Sequence, residues 1–559
     1  MLDKYKILTL CLFFLSCQNS QEKSFIQLTN AFFDWYYKVY PVKASQNGIH
    51  LYDDMYSNFS KNGIDQTFDD LNRFIIELDQ IDNTKLSKDN QIDFNILYNK
   101  MNEMKFDYEI LKNHQKSIMY YLKNIKNGLK FINYEDKNSF NNYLSRLKQI
   151  PTILDNAKIN VLNQNNTIIY FKEIEEIESI IDERNAVYFT KNINIDTLDF
   201  VNKLSKNKLN DLRQNLQRIS EQIKIYPIDN NIIDTKLSYF FNQDHIYKES
   251  ETYKDLNKLY EKMLKIALPF FLVDNDEPVW INKNDTIQVI NNILAKIKRS
   301  YGFNNDREYL LNEIKYNIKS AENNHIFETL NFNKYKFSIK EKESYYDNYY
   351  TFYNQGSFAK TKNIVIEKYN FVNMMNTKNI HQTIPYDDKT LNFLLMKNVF
   401  PGNLFLKSKI NNKTMVRKSF ENITFSKGWS LYATDIMLNN SNSYDNKHKL
   451  IFYEHLVKSI INYIVDYKLN TGLIDKENAI NLMTNLGFYE TGQAKLIIDN
   501  FLILPVHNSL EYLSYKNMKN IEKFCKQKFG SKFNLKIFNE KIISLNYLNF
   551  DLIKKEILN

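Results

Sequence analysis

Residues able to attack, ligate or move protons are thinly supplied in this chain. Its eight histidines are His50, His114, His245, His325, His381, His448, His455 and His507. A zinc hydrolase commonly carries two histidines one helical turn apart with a glutamate beside the first, and no H-x-x-x-H pair occurs here. His448 and His455 fall on one face if the segment is helical, and Glu454 adjoins the second. With His507 they are the residues from which an atypical peptidase centre would be built, although such a lone pair is more often surface or core than ligand. A thiol enzyme would rest on Cys525 in EKFCKQKFG, where neighbouring lysines favour the thiolate but no partner histidine is identifiable. G-x-S-x-G, Walker and G-x-G-x-x-G loops are all missing from the sequence.

The stretch LLMKNVFPGNLF, Leu394 to Phe405, runs apolar at near-helical spacing and then sets Pro401 beside Gly402. Proline removes a backbone donor and glycine weakens a helix, so the pair either ends a helix or marks a special site.

The N-terminus offers a different chemistry. Lys4 and Lys6 precede the largely apolar run Ile7 to Leu15, too short to span a bilayer but suited to the core of a secretory signal. Ser16-Cys17 then resembles the lipobox of bacterial lipoproteins, with Phe14 where that motif usually has leucine. The expected organisation is a signal at 1–16, a lipidated Cys17 opening a polar tether over 17–24, and one large helical domain over 25–559. Loss of Cys11 with the signal and acylation of Cys17 would leave Cys525 alone, with no internal disulfide. No later segment carries eighteen uncharged apolar residues in a row, so the expected membrane contact is the lipid, in the bacterial cell envelope, with inner or outer membrane left open.

Composition says which elements must position these residues. Over 559 residues there are only 11 Gly and 8 Pro but 39 Tyr and 39 Phe, which argues against a turn-rich all-β protein and for long helices joined by short polar loops. The net charge of +9 is almost all lysine, interleaved with acids rather than concentrated as in a nucleic-acid binder, so no nucleic-acid partner is expected. Helical periodicity dominates 68–131, and further helices are expected near 141–156, 172–185, 195–225, 251–272, 287–300 and 306–323. Alternating aromatic and β-branched residues over 337–386 predict short strands or extended loops. Helices return at 449–467, 475–486 (with Asp475 as N-cap), 490–501 and 521–529.

The order of these segments resembles the bacterial domain of unknown function 885 family, large helical proteins with a pattern like that of zinc metallopeptidases. The family opens with a helix, a proline and a G-x-H-x-Y-D-like stretch, matched here by Pro41, Ala44, Gly48, His50, Tyr52 and Asp53. Its H-E-x-x-P-G-H-H core falls on Lys397, Asn398, Val399, Phe400, Pro401, Gly402, Asn403 and Leu404. Its E-G-W-A-L-Y-A falls on Lys427 to Ala433, its V-V-D-x-G-L-H on Ile464 to Asn470, its P-G-Q-A-x-x-Y on Pro505 to Tyr512, and its late F-H-D on Phe538, Asn539 and Glu540.

The resemblance implies a mainly α, multi-helix metallopeptidase-like fold with a few short strands near the former active-site cleft. N- and C-terminal halves are expected over about 25–300 and 301–559. Scaffold residues Pro401, Gly402, Trp429, Tyr432 and Asp466 match, whereas the ligand, general-base and E-G-W glutamate positions read Lys397, Asn403, Asn398 and Lys427. An ammonium is a donor without an acceptor and repels a metal ion, so the zinc of the family is not expected here, nor any other cofactor. The expectation is a catalytically inactive binding or scaffold lipoprotein with a possible peptide or protein ligand; the alternative is an atypical envelope peptidase. Lys397 and Lys427 brought together would require an anion or acidic partners, such as a carboxylate in a cleft lined by Trp429 and Tyr432, unless both point to solvent.

Overall fold

The computed structural model describes residues 2–134, 138–162, 167–189, 195–219, 228–241, 247–273, 286–299, 307–327, 335–344, 349–354, 356–359, 363–371, 387–409, 414–507 and 509–558. Side chains of 2–19, Cys17 among them, lie outside that description, as do residues 372–386 of the region expected to be extended. The chain forms two compact units. Met1–Gln222, Gln355–Lys360 and Ile410–Phe420 make one, and Ile223–Asn354, Thr361–Lys409 and Glu421–Asn559 make the other.

In the first unit the aromatic stripe of the Leu2–Val39 helix meets the Lys61–Asp79 and Lys88–Phe106 helices. Phe32, Phe33, Tyr36 and Tyr37 are buried with Leu71, Phe74, Leu78, Leu97 and Met101, and the returning segment adds Val416 and Phe420. Rings meet edge to face, Phe32 on Phe74 at 5.5 Å, and each such buried side chain contributes roughly 1.5–3 kcal/mol. The return is pinned by Arg417, whose Nε donates to Asp93 at 2.5 Å and whose Nη2 donates to Asp89 at 3.0 Å.

Pro41 opens the short Pro41–Asn47 helix, and Gly48 closes it with φ 86°, a left-handed cap that a side chain would strain. Asp53 then gathers Ser45 Oγ at 2.5 Å, His50 Nδ1 at 2.9 Å and the Asn133 amide at 2.7 Å. The histidine and aspartate of that G-x-H-x-Y-D-like stretch thus hold a bend together.

The second unit is mainly helical, with a small sheet. Strands Lys336–Ser344 and Asn363–Phe371 run parallel from Lys336 opposite Asn363, and Tyr349–Asn354 pairs antiparallel on the other side of the Asn363 strand. The Tyr349 strand packs on the short Asn403–Ser408 helix. Asn446–Asn470 is buried along most of its length and packs against Glu249–Val273, Asp388–Asn398, Lys476–Leu486 and Thr491–Ile503. Its N-cap is Asp445, and the expected cap Asp475 accepts from the Asn478 amide at 2.7 Å.

Two boundaries differ from the sequence reading by well over a helical turn. The helix expected over 195–225 ends at Gln217. The helix expected from 521 begins eleven residues earlier, at Leu510, because tertiary burial of Leu510, Tyr512, Ser514 and Met518 stabilises a stretch too polar in sequence to look periodic.

Candidate functional site

Pro401 and Gly402 end one helix and begin another. The Asp388–Asn398 helix closes with the Val399 and Phe400 amides both donating to Leu395 O, at 2.8 and 3.1 Å. A cis Phe400–Pro401 bond follows, and Asn403–Ser408 starts immediately after Gly402. A Cβ on Gly402 would stand 1.7 Å from Lys397 O, so only glycine permits this backbone approach. The Trp429 indole donates to Pro401 O at 2.9 Å and fixes the turn from the Ile423–Asn440 helix.

That turn holds Lys397 on the last turn of its helix, facing two others. Lys397 Nζ lies 2.7 Å from Glu511 Oε1 and 3.1 Å from His455 Nε2, while His455 Nε2 lies 2.9 Å from Glu511 Oε2. The ammonium and an Nε2–H imidazole thereby each donate to one oxygen of the same carboxylate. Burial alone would raise the Glu511 carboxyl, but Lys397, His455 and Lys427 outweigh it and hold it well below the usual carboxylate range. Burial, reinforced by Lys397, pushes the His455 imidazole down against the pull of Glu511, which favours the neutral ring.

Lys427 stands beside this triad on the Ile423 helix, brought there by Gly428, whose missing side chain lets the helix approach Leu510–Phe529. A Cβ on Gly428 would come within 2.6 Å of Ser514 O. Burial pushes the Lys427 ammonium down, Glu511 opposes and Lys397 reinforces that shift. No ion pair of Lys427 occurs among the described residues.

The other singled-out residues take separate places. Asn398 Nδ2 donates to Leu394 O of its own helix at 2.9 Å, and Asn403 Oδ1 is buried without a hydrogen-bond partner. Trp429 and Tyr432 are both 0% exposed, so neither offers a face to an open cleft as expected: packing of Trp429 on Phe327 and the Tyr432 hydroxyl's bond to Asn539 enclose them. Buried Asp466 accepts from Asn470 Nδ2 at 2.7 Å and from the Val506 amide at 3.1 Å, and burial raises its carboxyl to about 7. It thereby secures the turn leading into the helix that carries Glu511.

His448, Glu454, His455 and His507 do not assemble into one centre. His448 pairs with Asp445 at its own helix start, and Glu454 is held by Lys298 at 2.6 Å and Lys458 at 2.8 Å. Burial opposes ionisation of Glu454, but those two ammonium groups hold its carboxyl down to about 2. His507 is exposed. Cys525 is buried, and desolvation raises its thiol, the reverse of what its lysine neighbours suggest in sequence.

A zinc ion is the group the family resemblance implies, and the donor set does not fit it. The position expected to supply a ligand carries the Lys397 ammonium, which pairs with the Glu511 carboxylate and stands 3.1 Å from His455 Nε2, the nitrogen whose hydrogen Glu511 accepts. Among the described residues no three His, Cys, Asp or Glu side chains are gathered as a metal site requires.

The sequence profile described as "Bacterial protein of unknown function (DUF885)" matches residues 41–226 and 250–557. The chain belongs to that family. No curated protein matches it. Among solved structures, one titled a "putative lipoprotein of unknown function" from Shewanella oneidensis is 18% identical, with a TM-score of 0.73, covering 96% of this chain and 100% of its own. A second, the "putative lipoprotein" from Colwellia psychrerythraea, is 12% identical with a TM-score of 0.69, covering 96% and 98%. At such identities the likeness establishes a shared fold, that of a mainly α DUF885 protein. Among the described residues no helix is long and apolar enough to cross a membrane.

Proposed function

We propose that this DUF885 protein is a lipid-anchored protein of the bacterial cell envelope that keeps a metallopeptidase-like scaffold, has lost its hydrolytic centre, and acts by binding. The observation carrying this reading is the closed Lys397–Glu511–His455 cluster, in which an ammonium and an imidazole N–H take up the carboxylate that a hydrolytic metal would need. A peptidase without a Lewis acid or an activated nucleophile at this centre has no means to polarise the amide or activate water. The lipobox-like Ser16-Cys17 supports the anchor, as does the description of the two structural neighbours as lipoproteins.

The ligand chemistry that fits is a carboxylate, such as an acidic peptide or a peptide terminus. Lys397 is neutralised by Glu511, whereas half-buried Lys427 carries a charge with no ion pair among the described residues. A bound carboxylate would supply the missing counter-charge.

Three measurements test the reading. Stoichiometric zinc in the purified protein together with chelator-sensitive peptide hydrolysis refutes the loss of the centre. Acidic-peptide binding that is unchanged by Lys427→Ala refutes the ligand assignment. For the anchor, labelled palmitate is expected in the wild type and not in Cys17→Ala; equal labelling would place the acylation elsewhere.

A further inference from the structure

We propose that one end of the first unit, formed by the Leu2–Val39 helix where it passes Gln21 and by the connection over 80–87, is a membrane-apposed edge held within about 10 Å of a phospholipid headgroup surface by a short tether. The inference rests on the reading above in one respect, that Cys17 is acylated.

The packed body begins almost at the anchor. Glu22 accepts from Ser87 Oγ at 2.6 Å, from the Ser87 amide at 3.0 Å and from Asn90 Nδ2 at 2.7 Å, while Gln21 Oε1 accepts from the Asp82 amide at 3.1 Å. Phe25, one turn on, is buried and meets the Phe94 ring at 6.0 Å. The chain at Gln21 and Glu22 is thereby fixed to the end of the Lys61–Asp79 helix and to the start of the Lys88–Phe106 helix, as part of the body rather than a leash.

Reach then sets the geometry. No more than three residues, 18–20, separate Cys17 from Gln21. Four residue steps span at most about 14 Å fully extended, and about 6 Å along the helical course the backbone takes here. An acylated cysteine sits where its chains enter the hydrocarbon, beneath a headgroup layer of about 5–8 Å per leaflet. Subtracting that layer from the extended span leaves Gln21 within about 10 Å of the headgroup surface.

The side chains of this edge suit such a surface. Ile26 and Ile76 are 47% and 60% exposed although aliphatic, and each lies within a turn and a half of the edge. Lys85 and Lys88 are exposed at the same end and are offset by exposed Glu77 and Asp79. The edge is therefore no polybasic patch, and the tether rather than charge holds it to lipid.

The test reconstitutes the lipidated protein into phosphatidylethanolamine–phosphatidylglycerol vesicles carrying a headgroup nitroxide, with one introduced cysteine at a time bearing a fluorophore. Acylation consumes the Cys17 thiol and Cys525 is buried, so the introduced cysteine is the reactive one. Lys85→Cys and Ile76→Cys report the edge, and Lys61→Cys, at the opposite end of the Lys61–Asp79 helix and about 27 Å along it, is the control. Quenching at 76 and 85 is expected to be at least about fivefold stronger than at 61, because that helix is longer than the tether can reach. Equal quenching at the three positions, or stronger quenching at 61, with palmitate on Cys17 overturns the inference and leaves the anchor standing. Absence of palmitate from Cys17 overturns both.

A flexible Gly-Ser segment of about 20 residues inserted between Asn19 and Ser20 extends the tether by about 25 Å on average. Quenching at 85 is expected to fall to the level at 61, and quenching that survives the insertion overturns the inference.

Discussion

Replacing Lys397 by methionine keeps nearly the side chain's length and removes its charge, which isolates what the ammonium contributes. At 2.7 Å from Glu511 Oε1, and with an effective dielectric constant of about 20, the lost attraction is about 6 kcal/mol. Desolvation of both ions offsets part of that. Breaking a buried pair by removing one partner costs about 3–5 kcal/mol, and side-chain exposures of 14% and 19% place this pair near the lower end, about 3 kcal/mol. Glu511 would then keep only the His455 donor.

The loss should be local to the ends of the Asp388 and Leu510 helices. Hydrogen exchange read by mass spectrometry on peptides spanning 391–398 and 510–518 should accelerate roughly 100-fold at neutral pH. Lys397→Met combined with Glu511→Leu removes both charges, so its cost should fall well short of the sum of the single variants, by about 2 kcal/mol. Exchange unchanged in Lys397→Met, or effects that add within about 0.5 kcal/mol, would refute the account of the cluster. The pH dependence supplies a further check. The Glu511 carboxyl titrates lower in the folded protein than in the unfolded chain, so its stabilisation is present above the ordinary glutamate pKa and disappears as pH falls through the depressed value.

Gly402→Ala should be among the most damaging single substitutions, costing more than about 3 kcal/mol because a Cβ would overlap the Lys397 carbonyl, and soluble yield with thermal melting would register it. Trp429→Phe keeps the ring but leaves Pro401 O without its donor, for a loss of about 1–3 kcal/mol measurable by urea unfolding. The Asp466 carboxyl titrates near 7 when folded, so the folded state holds its proton more tightly and this group's contribution declines as pH rises from about 4 through 7. Asp466→Asn should therefore gain on wild type by up to about 2.6 kcal/mol between pH 5 and pH 8, and parallel stability–pH curves would contradict the assignment.

Most of the architecture was legible from local signals. Scarce glycine and proline, 3.6-residue periodicity and N-cap residues such as Asp475 act within one or two helical turns, and the sequence spells them out directly. The Pro401-Gly402 interruption and the strand character near 337–371 belong to the same class. The candidate site was legible by half. Lys397 and Lys427 stood out as substitutions in motifs of the family, whereas Glu511 fell in an unspecified place of the P-G-Q-A-x-x-Y segment, just inside a helix whose polar sequence concealed its start. Its only sequence signal was a carboxylate beside two residues, Leu510 and Tyr512, that proved to be buried.

The amino-acid sequence by itself determined that this protein is a large helical chain with a lipobox-like start and lysines where its family resemblance places metal-site residues, because composition, periodicity and motif position are properties of neighbours along the chain. Only the tertiary structure decided that Lys397 meets His455 and Glu511, 58 and 114 residues away, that Trp429 and Tyr432 are enclosed, and that Lys427 stands near Glu511 without a close ion pair among the described residues. Those facts follow from how closely helices approach, which Gly402 and Gly428 permit by having no side chain, and from the burial that sets which ions must find partners.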